Sequence, residues 1–158
     1  MLSICFVCLG NICRSPTAEV VMRALLEEQG LGDAVEVSSA GTGDWHVGEG
    51  MDARSLEELT ARGYDGTRHR ARQFEPQWFA EHDLLIAMDR GNERLLRGLA
   101  PAEHRDKVRL LMSYAPDAPD LDVPDPYYGG ADGFTHVVDL VQRGCRGLLA
   151  EIRPRLAR

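Results

Sequence analysis

Four short apolar stretches recur along the chain and have the length of β-strands. They are rich in aliphatic and β-branched side chains, and one of them is nearly continuous Leu and Ile, as in a central parallel strand. We predict the four strands at residues 2–7, 34–38, 83–88 and 107–112.

Segments with apolar residues three or four positions apart follow the strands and predict helices. The first begins at Ser15 and Pro16, because Ser suits the N-cap and Pro suits the first turn, and it ends at Gly30. We predict the other helices at residues 52–62, after an N-cap at Asp89, and over residues 137–152.

Two of these helices carry features with consequences for packing. The helix after Asp89 has an apolar face made of Leu95, Leu96 and Leu99. Gly144 and Gly147 lie inside the last helix, where glycine costs stability, and they predict a close approach to a neighbouring element.

The alternation of strands and helices predicts an α/β sandwich with a parallel sheet and right-handed crossovers. In such a sheet ligands bind beyond the carboxyl ends of the strands, which points to the loop after the first strand. The length of 158 residues predicts a single domain, residues 1–158.

The charge of the chain narrows the classes of function. The formal net charge is -7 and the pI is about 5.2, whereas a general electrostatic nucleic-acid binder is usually basic, so we expect no nucleic-acid partner. No apolar run approaches the roughly 20 residues of a membrane helix, and the first residues lack a basic leader and a cleavage site. We therefore expect a cytoplasmic protein with no membrane partner.

The four cysteines are too few and too unevenly placed for a disulfide scaffold. Cys5 and Cys8 have the spacing of a redox or metal pair, but residues three apart in a strand point to opposite faces, so we expect Cys5 in the core. Cys145 lies on the core face of the last helix. The five histidines are scattered, and we expect neither a metal nor a cofactor.

The loop from Cys8 to Ser15, with the sequence Cys-Leu-Gly-Asn-Ile-Cys-Arg-Ser, connects a buried strand to a helix N-terminus. Its backbone N–H groups can form a concavity for anions, and Gly10 or Asn11 can adopt the positive φ that such a loop needs. Arg14 can bind two oxygens of a phosphoryl group. The helix dipole, the amides and Arg14 favour a thiolate at Cys8, to which Ser15 can donate a hydrogen bond. The loop therefore predicts in-line attack of a thiolate on a bound phosphoryl group, and it lacks the Gly-Lys-Ser/Thr ending of a Walker nucleotide loop.

A mechanism of this kind needs an acid for the leaving oxygen and a base for the water that releases the phosphocysteine, and one carboxyl group can do both. Among 25 acidic residues, Asp125 stands out because Pro124 and Pro126 stiffen its backbone. Tyr127 and Tyr128 follow and can form rigid aromatic walls. A structural turn with surface tyrosines is the alternative interpretation.

Two further residues have more than one interpretation. Trp45 lies in the Gly-rich residues 41–50 and fits either an aromatic ligand wall or a partly buried anchor. His69 lies in a basic cluster and fits a contact to anionic peptide, a solvated face or a hydrogen-bonded structural histidine.

With both loops in view, the sequence resembles the low-molecular-weight protein tyrosine phosphatases over essentially its whole length. The resemblance rests on VCLGNICRSP at residues 7–16 and DPYYG at residues 125–129, which are highly specific together. The segment GTGDWH at residues 41–46 is similar to actinobacterial members. The family implies a three-layer sandwich in which helices flank a four-stranded parallel sheet, with the phosphate-binding loop after strand 1.

The resemblance also implies a role for each matching residue. Cys8 would be the nucleophile, Arg14 would bind the transition state, and Asp125 would be the general acid and then the base. Cys13 matches a loop cysteine that can form a reversible disulfide with the nucleophile. Leu9, Gly10, Asn11, Ile12, Cys13 and Ser15 would contact phosphate or substrate; Trp45, Tyr127 and Tyr128 would form an aromatic rim; Asn11, Ser15, Ser39 and His69 would support the loop by hydrogen bonds.

We therefore predict a monomeric protein-tyrosine-phosphatase of bacterial signalling that acts on tyrosine-phosphorylated proteins or peptides and releases inorganic phosphate. Two alternatives remain: an arsenate reductase of the same fold and a phosphate-binding module without turnover. The reductase would relay a disulfide through further cysteines, yet Cys145 is the only one downstream of the loop. A module without turnover would not need Cys8, Arg14 and Asp125 together.

Overall fold

In the computed structural model, which describes residues 1–118, 120–126 and 131–156, four parallel strands form a sheet in the order β2-β1-β3-β4. All four lie where the apolar stretches predict strands. They are β1 (Leu2–Cys8), β2 (Val35–Gly41), β3 (Leu84–Ala87) and β4 (Val108–Leu110).

Helices cover both faces of the sheet, which confirms the predicted three-layer α/β fold. The α-helices of the described residues are α1 (Arg14–Glu28), α2 (Ala53–Ala61), α3 (Trp78–Glu81), α4 (Arg90–Leu99) and α5 (Ala131–Leu156). Two 3₁₀ helices, Ala102–Lys107 and Leu111–Tyr114, flank β4. None of the helices in the described part of the chain is both long and apolar enough to cross a bilayer.

The side chains of β1 alternate between the two faces of the sheet, so a core forms on each side. Ile4 and Phe6 pack with residues of α1 and α5, whereas Cys5 and Val7 pack with residues of α3 and α4. Cys5 is therefore a core residue, as the strand periodicity predicts, and it faces away from Cys8.

Helix α5 packs directly on the turn that follows β4. A Cβ atom on Gly147 would overlap the backbone of Tyr114, and a Cβ atom on Gly144 would lie 2.6 Å from Leu111 Cγ. The close approach predicted from the two glycines is confirmed.

Some details of the predicted elements are wrong, and the prediction lacks α3 and the two 3₁₀ helices. Strand β4 ends at Leu110, and the next two residues enter a 3₁₀ helix although their apolar side chains are buried. A short apolar run requires burial, which a strand and a tight helical turn both provide. Of the three leucines predicted for the apolar face of α4, Leu96 is buried, while Leu95 and Leu99 are 48% and 62% exposed, because the short helix presents a narrow stripe to the sheet.

Candidate active site

The loop between β1 and α1 lies at the carboxyl edge of the sheet. Cys8 is the last residue of β1, and Arg14 is the first residue of α1. Because β1 is flanked by β2 and β3, the segments that follow those two strands surround the loop. Parallel sheets bind ligands at this edge.

The Cys8 thiol is buried at the floor of the loop. Its Sγ lies 2.9 Å from Ser15 Oγ and accepts a hydrogen bond from the backbone N–H of Asn11 at 3.3 Å. With the Ser15 hydroxyl as donor, both contacts stabilise negative charge on the sulfur.

Ser15 is not the helix cap that the sequence predicts. Helix α1 begins at Arg14, and Cys13 occupies the N-cap position without a side-chain hydrogen bond to the helix. The Ser15 hydroxyl lies inside the first turn and contacts Cys8 Sγ and Asn11 Nδ2 instead. Because α1 begins one residue before Ser15, this residue is already helical, and its hydroxyl contacts the thiol instead of capping the helix.

Asn11 braces the loop from within. Of the two residues that can adopt positive φ, Asn11 does so, at 57°, and Gly10 does not. The side-chain Nδ2 of Asn11 donates to Ser15 Oγ and to Ser39 Oγ, both at 2.9 Å. Its Oδ1 accepts the backbone N–H of Arg72 at 2.9 Å, so all of its polar side-chain atoms are paired.

A second set of contacts supports Asn11 from behind. His69 Nε2 donates to the backbone carbonyl of Asn11 at 2.6 Å, and Ser39 Oγ donates to Glu19 Oε1 at 2.6 Å. Arg72 Nε donates to the carbonyl of Ser39 at 3.0 Å. Burial lowers the pKa of His69, so this histidine is neutral, with its proton on Nε2. Of the interpretations of His69, the hydrogen-bonded structural histidine fits these contacts.

The segment after β2 packs tightly against the loop. The backbone N–H groups of Thr42 and Gly43 donate to the carbonyls of Cys8 and Leu9, each at 2.9 Å. A Cβ atom on Gly41 would lie 2.9 Å from the carbonyl oxygen of Leu9. Glycine at this position therefore permits the approach of the two backbones.

Arg14 is buried and held by two neighbouring segments. Its Nη1 donates to Asp89 Oδ2 at 2.6 Å and to the carbonyl of Val123 at 3.0 Å. Its Nη2 lies 3.6 Å from Asp125 Oδ2. Burial opposes the charged form, but Cys8 and the Asp89 carboxyl outweigh it and raise the pKa of Arg14. The guanidinium is therefore a fixed positive charge beside the thiol.

A crevice of about 380 Å³ opens above the thiol. Trp45 stands at its edge and is 67% exposed, which fits the ligand-wall interpretation better than the buried anchor. The predicted rim residues Tyr127 and Tyr128 lie outside the described residues. The crevice is lined by Cys8, Leu9, Gly10, Ile12, Cys13, Arg14, Trp45, His46 and Asp125.

A larger cleft, of about 700 Å³, lies behind the loop between α1 and residues 63–72. It is lined by the supporting residues Ser39, His69 and Arg72 but reaches neither the thiol nor the guanidinium. We therefore assign the chemistry to the smaller crevice.

Cys13 faces a different environment from Cys8. Burial, reinforced by the nearby Asp52 carboxylate, raises the pKa of the Cys13 thiol to about 12. It is therefore a neutral thiol at physiological pH. Its role as a redox partner of Cys8 stays a prediction.

Sequence reasoning missed several residues of the site. Asp89 is predicted only as a helix cap, and its Oδ1 does accept the N–H of Asn92, but its Oδ2 binds Arg14. Its position directly after β3, at the ligand-binding edge, is the signal that could have identified it. No local pattern singles out Glu19 or Arg72. Within the described ranges, no group of three or more His, Cys, Asp or Glu side chains is arranged to hold a metal ion.

Comparison with known proteins agrees with this geometry. The family described as low molecular weight phosphotyrosine protein phosphatase matches residues 3–157. The low molecular weight protein-tyrosine-phosphatase of Streptomyces coelicolor is 56% identical over 154 residues, which cover 95% of this chain and 93% of that protein. Low molecular weight protein-tyrosine phosphatase A of Mycobacterium tuberculosis is 47% identical over 159 residues, covering 99% of this chain and 95% of that protein. A crystal structure of a protein tyrosine phosphatase from Entamoeba histolytica matches with a TM-score of 0.94 at 33% identity, covering 98% of each chain. On these grounds, and as its two loop motifs predict, the chain belongs to the low molecular weight phosphotyrosine protein phosphatase family.

Proposed function

We propose that this phosphatase hydrolyses phosphotyrosine in proteins or peptides in two steps, through a phosphocysteine at Cys8. One observation carries the proposal: a thiol, a guanidinium and a carboxyl group line one crevice, contributed by Cys8, Arg14 and Asp125. Hydrogen bonds from Asn11 and Ser15 to the sulfur prepare it as a nucleophile.

In the first step the Cys8 thiolate attacks phosphorus, so that a sulfur–phosphorus bond forms and the bond to the tyrosyl oxygen breaks. The loop N–H groups and Arg14 bind the equatorial oxygens, where charge develops in the transition state. A bound phosphoryl dianion competes with the Asp125 carboxyl for Arg14 Nη2, 3.6 Å away, and lets the carboxyl turn to the leaving oxygen. Protonated Asp125 then donates its proton to that oxygen.

In the second step water attacks the phosphocysteine. Asp125, now a carboxylate, takes a proton from the water as the sulfur–phosphorus bond breaks, and inorganic phosphate leaves. The contacts from Asn11 and Ser15 that stabilise the thiolate also make it a better leaving group. The same atoms therefore assist both steps.

The shape of the crevice favours an aryl phosphate ester. The thiol lies at the floor, 2% exposed, so that a phosphoryl group must reach down from the protein surface to meet it. A tyrosyl ring is long enough for that reach and can stack on Trp45, whereas a serine side chain is shorter. The aromatic wall thereby supports selectivity for phosphotyrosine.

The alternative of an arsenate reductase is not favoured. A disulfide relay needs mobile, accessible thiols, but Cys145 is fully buried in α5, with its Sγ 3.8 Å from the carbonyl of Ala18.

Because Cys8 must stay a free thiol for turnover, a reducing compartment suits the enzyme, and we propose that it acts in the cytoplasm. We also propose that the enzyme is a monomer.

The test is the hydrolysis of p-nitrophenyl phosphate and of a phosphotyrosine peptide. We expect Cys8→Ser to abolish turnover, and Asp125→Ala to lower kcat/KM for the peptide by about 10²- to 10⁴-fold, because it removes the general acid. Asp117→Ala, at an exposed position upstream in the same chain segment, should leave both rates unchanged. Full activity of Cys8→Ser would overturn the mechanism, and reduction of arsenate at a comparable rate would revive the reductase.

A further inference from the structure

An ion pair that the proposed mechanism does not use joins the chain segment after the second 3₁₀ helix to the beginning of α4. Its two residues are Asp122 and Arg90. Asp122 Oδ1 accepts the backbone N–H of Arg90 at 2.8 Å and its Nε–H at 3.2 Å, and Asp122 Oδ2 accepts from Arg90 Nη2 at 3.3 Å. Asp122 thus binds the backbone N–H of Arg90, which is the first residue of the helix, and also the guanidinium of Arg90. Asp120 Oδ1 lies 3.7 Å from the same guanidinium.

The next residue is also fixed. The backbone N–H of Val123 donates to the carbonyl of Met88 at 2.8 Å, and its carbonyl accepts from Arg14 Nη1 at 3.0 Å. Beyond it, Pro124 and Pro126 restrict the backbone on both sides of Asp125. The position of the Asp125 carboxyl therefore depends on where the chain is anchored two and three residues earlier.

Helix α4 connects this anchor to the guanidinium of the site. Asp89, its N-cap, binds Arg14 Nη1 through Oδ2, and Arg90, the next residue, binds Asp122. Consecutive residues of one helix end thereby hold Arg14 and the segment that carries Asp125, the two groups that must meet across the substrate.

We propose that Arg90 and Asp122 form a clamp, which positions the acid loop, residues 120–126, so that Asp125 faces the leaving oxygen. Arg90 and Asp122 are positioning residues, since neither lines the crevice. The proposal rests on the acid role of Asp125 given above.

The surroundings of the clamp suit a positioning role better than a role in folding. The side chains of Arg90 and Asp122 are 54% and 33% exposed, and exposed ion pairs contribute little to global stability. Burial opposes the charged form of the Asp122 carboxyl, but the hydrogen bonds from Arg90 outweigh burial and hold the pKa of Asp122 below its ordinary value. The pair therefore stays ionised at neutral pH. Removing the guanidinium leaves the backbone hydrogen bond to Asp122 in place, and the chain should still fold.

The test compares two aryl phosphates that differ in how much they need an acid. Phenyl phosphate has a poor leaving group, whereas p-nitrophenyl phosphate has a good one. We expect Arg90→Ala and Asp122→Asn each to lower kcat/KM for phenyl phosphate by about tenfold, and for p-nitrophenyl phosphate by less than about twofold. The double variant should lose no more than either single variant, because the two changes break one interaction.

Controls separate positioning from a structural effect. Arg90→Lys keeps a cation and should restore most of the phenyl phosphate rate, and Arg94→Ala, at an exposed site on the same helix, should match the wild type. In an Asp125→Ala background, Arg90→Ala should cause no further loss. Equal losses on both substrates, or an unchanged phenyl phosphate rate in Arg90→Ala and Asp122→Asn, would overturn the clamp. If Asp125→Ala keeps the wild-type kcat/KM for phenyl phosphate, the acid role of Asp125 is wrong. That outcome is distinguishable from a failure of the clamp alone.

Discussion

Asn11 holds the phosphate-binding loop in shape through its backbone and its side chain at once. Its φ of 57° turns the chain, and its fully buried carboxamide links Ser15, Ser39 and the backbone N–H of Arg72. Asparagine suits this position because it tolerates the left-handed region and can pair every polar atom.

Two substitutions of Asn11 separate these contributions. We expect Asn11→Ala to lower the free energy of unfolding by roughly 2 to 4 kcal/mol, because buried donors lose their partner and alanine is strained at positive φ. Asn11→Gly loses the same hydrogen bonds without the strain and should be more stable than Asn11→Ala by about 1 kcal/mol. Urea denaturation measures both, and equal stabilities of the two variants would contradict the strain argument.

The cysteines should differ sharply in their reactivity. Burial raises the pKa of Cys5 and of Cys13 to about 12, and it raises the pKa of Cys145 as well. At pH 7 we expect iodoacetamide to modify the native protein once, at Cys8, the thiol at the floor of the crevice. Intact mass spectrometry counts the labels, and the Cys8→Ser variant is the control. Labelling of Cys13 in that variant would show that burial does not protect it.

His69 should make stability depend on pH. Burial lowers its folded-state pKa below the ordinary 6.5, so below pH 6.5 the unfolded chain binds a proton that the folded chain does not. Stability contributed by neutral His69 is therefore complete above pH 6.5 and decreases as the pH falls towards the folded-state pKa. His69→Gln, which can still donate to the carbonyl of Asn11, should lose less stability than the wild type between about pH 7.5 and about pH 5.5.

Urea midpoints at the two pH values give the comparison for His69. His136→Gln alters an exposed histidine and should retain the pH dependence of the wild type. If the urea midpoints of the wild type and of His69→Gln change equally with pH, a group other than His69 controls the loss of stability at low pH.

At the scale of elements, glycine marks where a helix approaches a neighbour and where it does not. Gly147 of α5 lies against the backbone of Tyr114, whereas a Cβ atom on Gly98 of α4 would meet open space. The two positions form a matched pair within helices of the same protein.

Alanine at these two positions should have opposite effects. We expect Gly147→Ala to destabilise the fold by about 1 to 3 kcal/mol or more, because the helix must move off the backbone that it contacts. Gly98→Ala should stabilise it by up to about 1 kcal/mol through helix propensity. Thermal unfolding measures both, and a neutral Gly147→Ala would mean that α5 can shift without cost.

The predicted elements were reliable where an apolar pattern has one structural solution. The Leu and Ile run of β3 lies directly before the N-cap of a helix at Asp89, which favours a buried strand, and the structure has a strand there. The pattern near Leu111 has two solutions, and packing of α5 on the chain selects the 3₁₀ helix. The extent of the apolar face of α4 depends in the same way on the width of its contact with the sheet.

At the scale of the whole molecule, the net charge of the protein is negative, although its substrate carries a phosphoryl dianion. The net charge of -7 opposes the approach of acidic peptides, while in the proposed mechanism Arg14 and the loop amides attract the phosphoryl group only at short range. Selection of substrates should therefore rest on contacts inside and around the crevice.

Added salt should weaken the repulsion between the acidic protein and an acidic peptide. We expect kcat/KM for a phosphotyrosine peptide flanked by acidic residues to rise about two- to fivefold between about 20 mM and about 200 mM NaCl, because salt screens the repulsion. A peptide with neutral flanks should change less. A steady decrease for the acidic peptide would indicate a basic docking surface that dominates its approach.

The sequence by itself determined the order of the four strands and of helices α1, α2, α4 and α5, the family, and the chemical groups proposed to act in the crevice. Strand and helix periods are local properties, and the Cys8 loop and the motif that begins at Asp125 each lie within a few consecutive residues. Short spacings of this kind can be interpreted without knowing the fold.

Only the tertiary structure decided which residues meet across long separations. Asp89 binds Arg14 across 75 positions, the backbone N–H of Arg72 binds Asn11 across 61, and Asp122 binds Arg90 across 32. The physical reason is that these partners are brought together by strand order and helix packing at one edge of the sheet, which no local pattern of side chains encodes. The proposed catalytic groups and the loop supports Ser39 and His69 could therefore be named from the sequence and its family resemblance. The contacts of Asp89, Glu19, Arg72 and Arg90 could not.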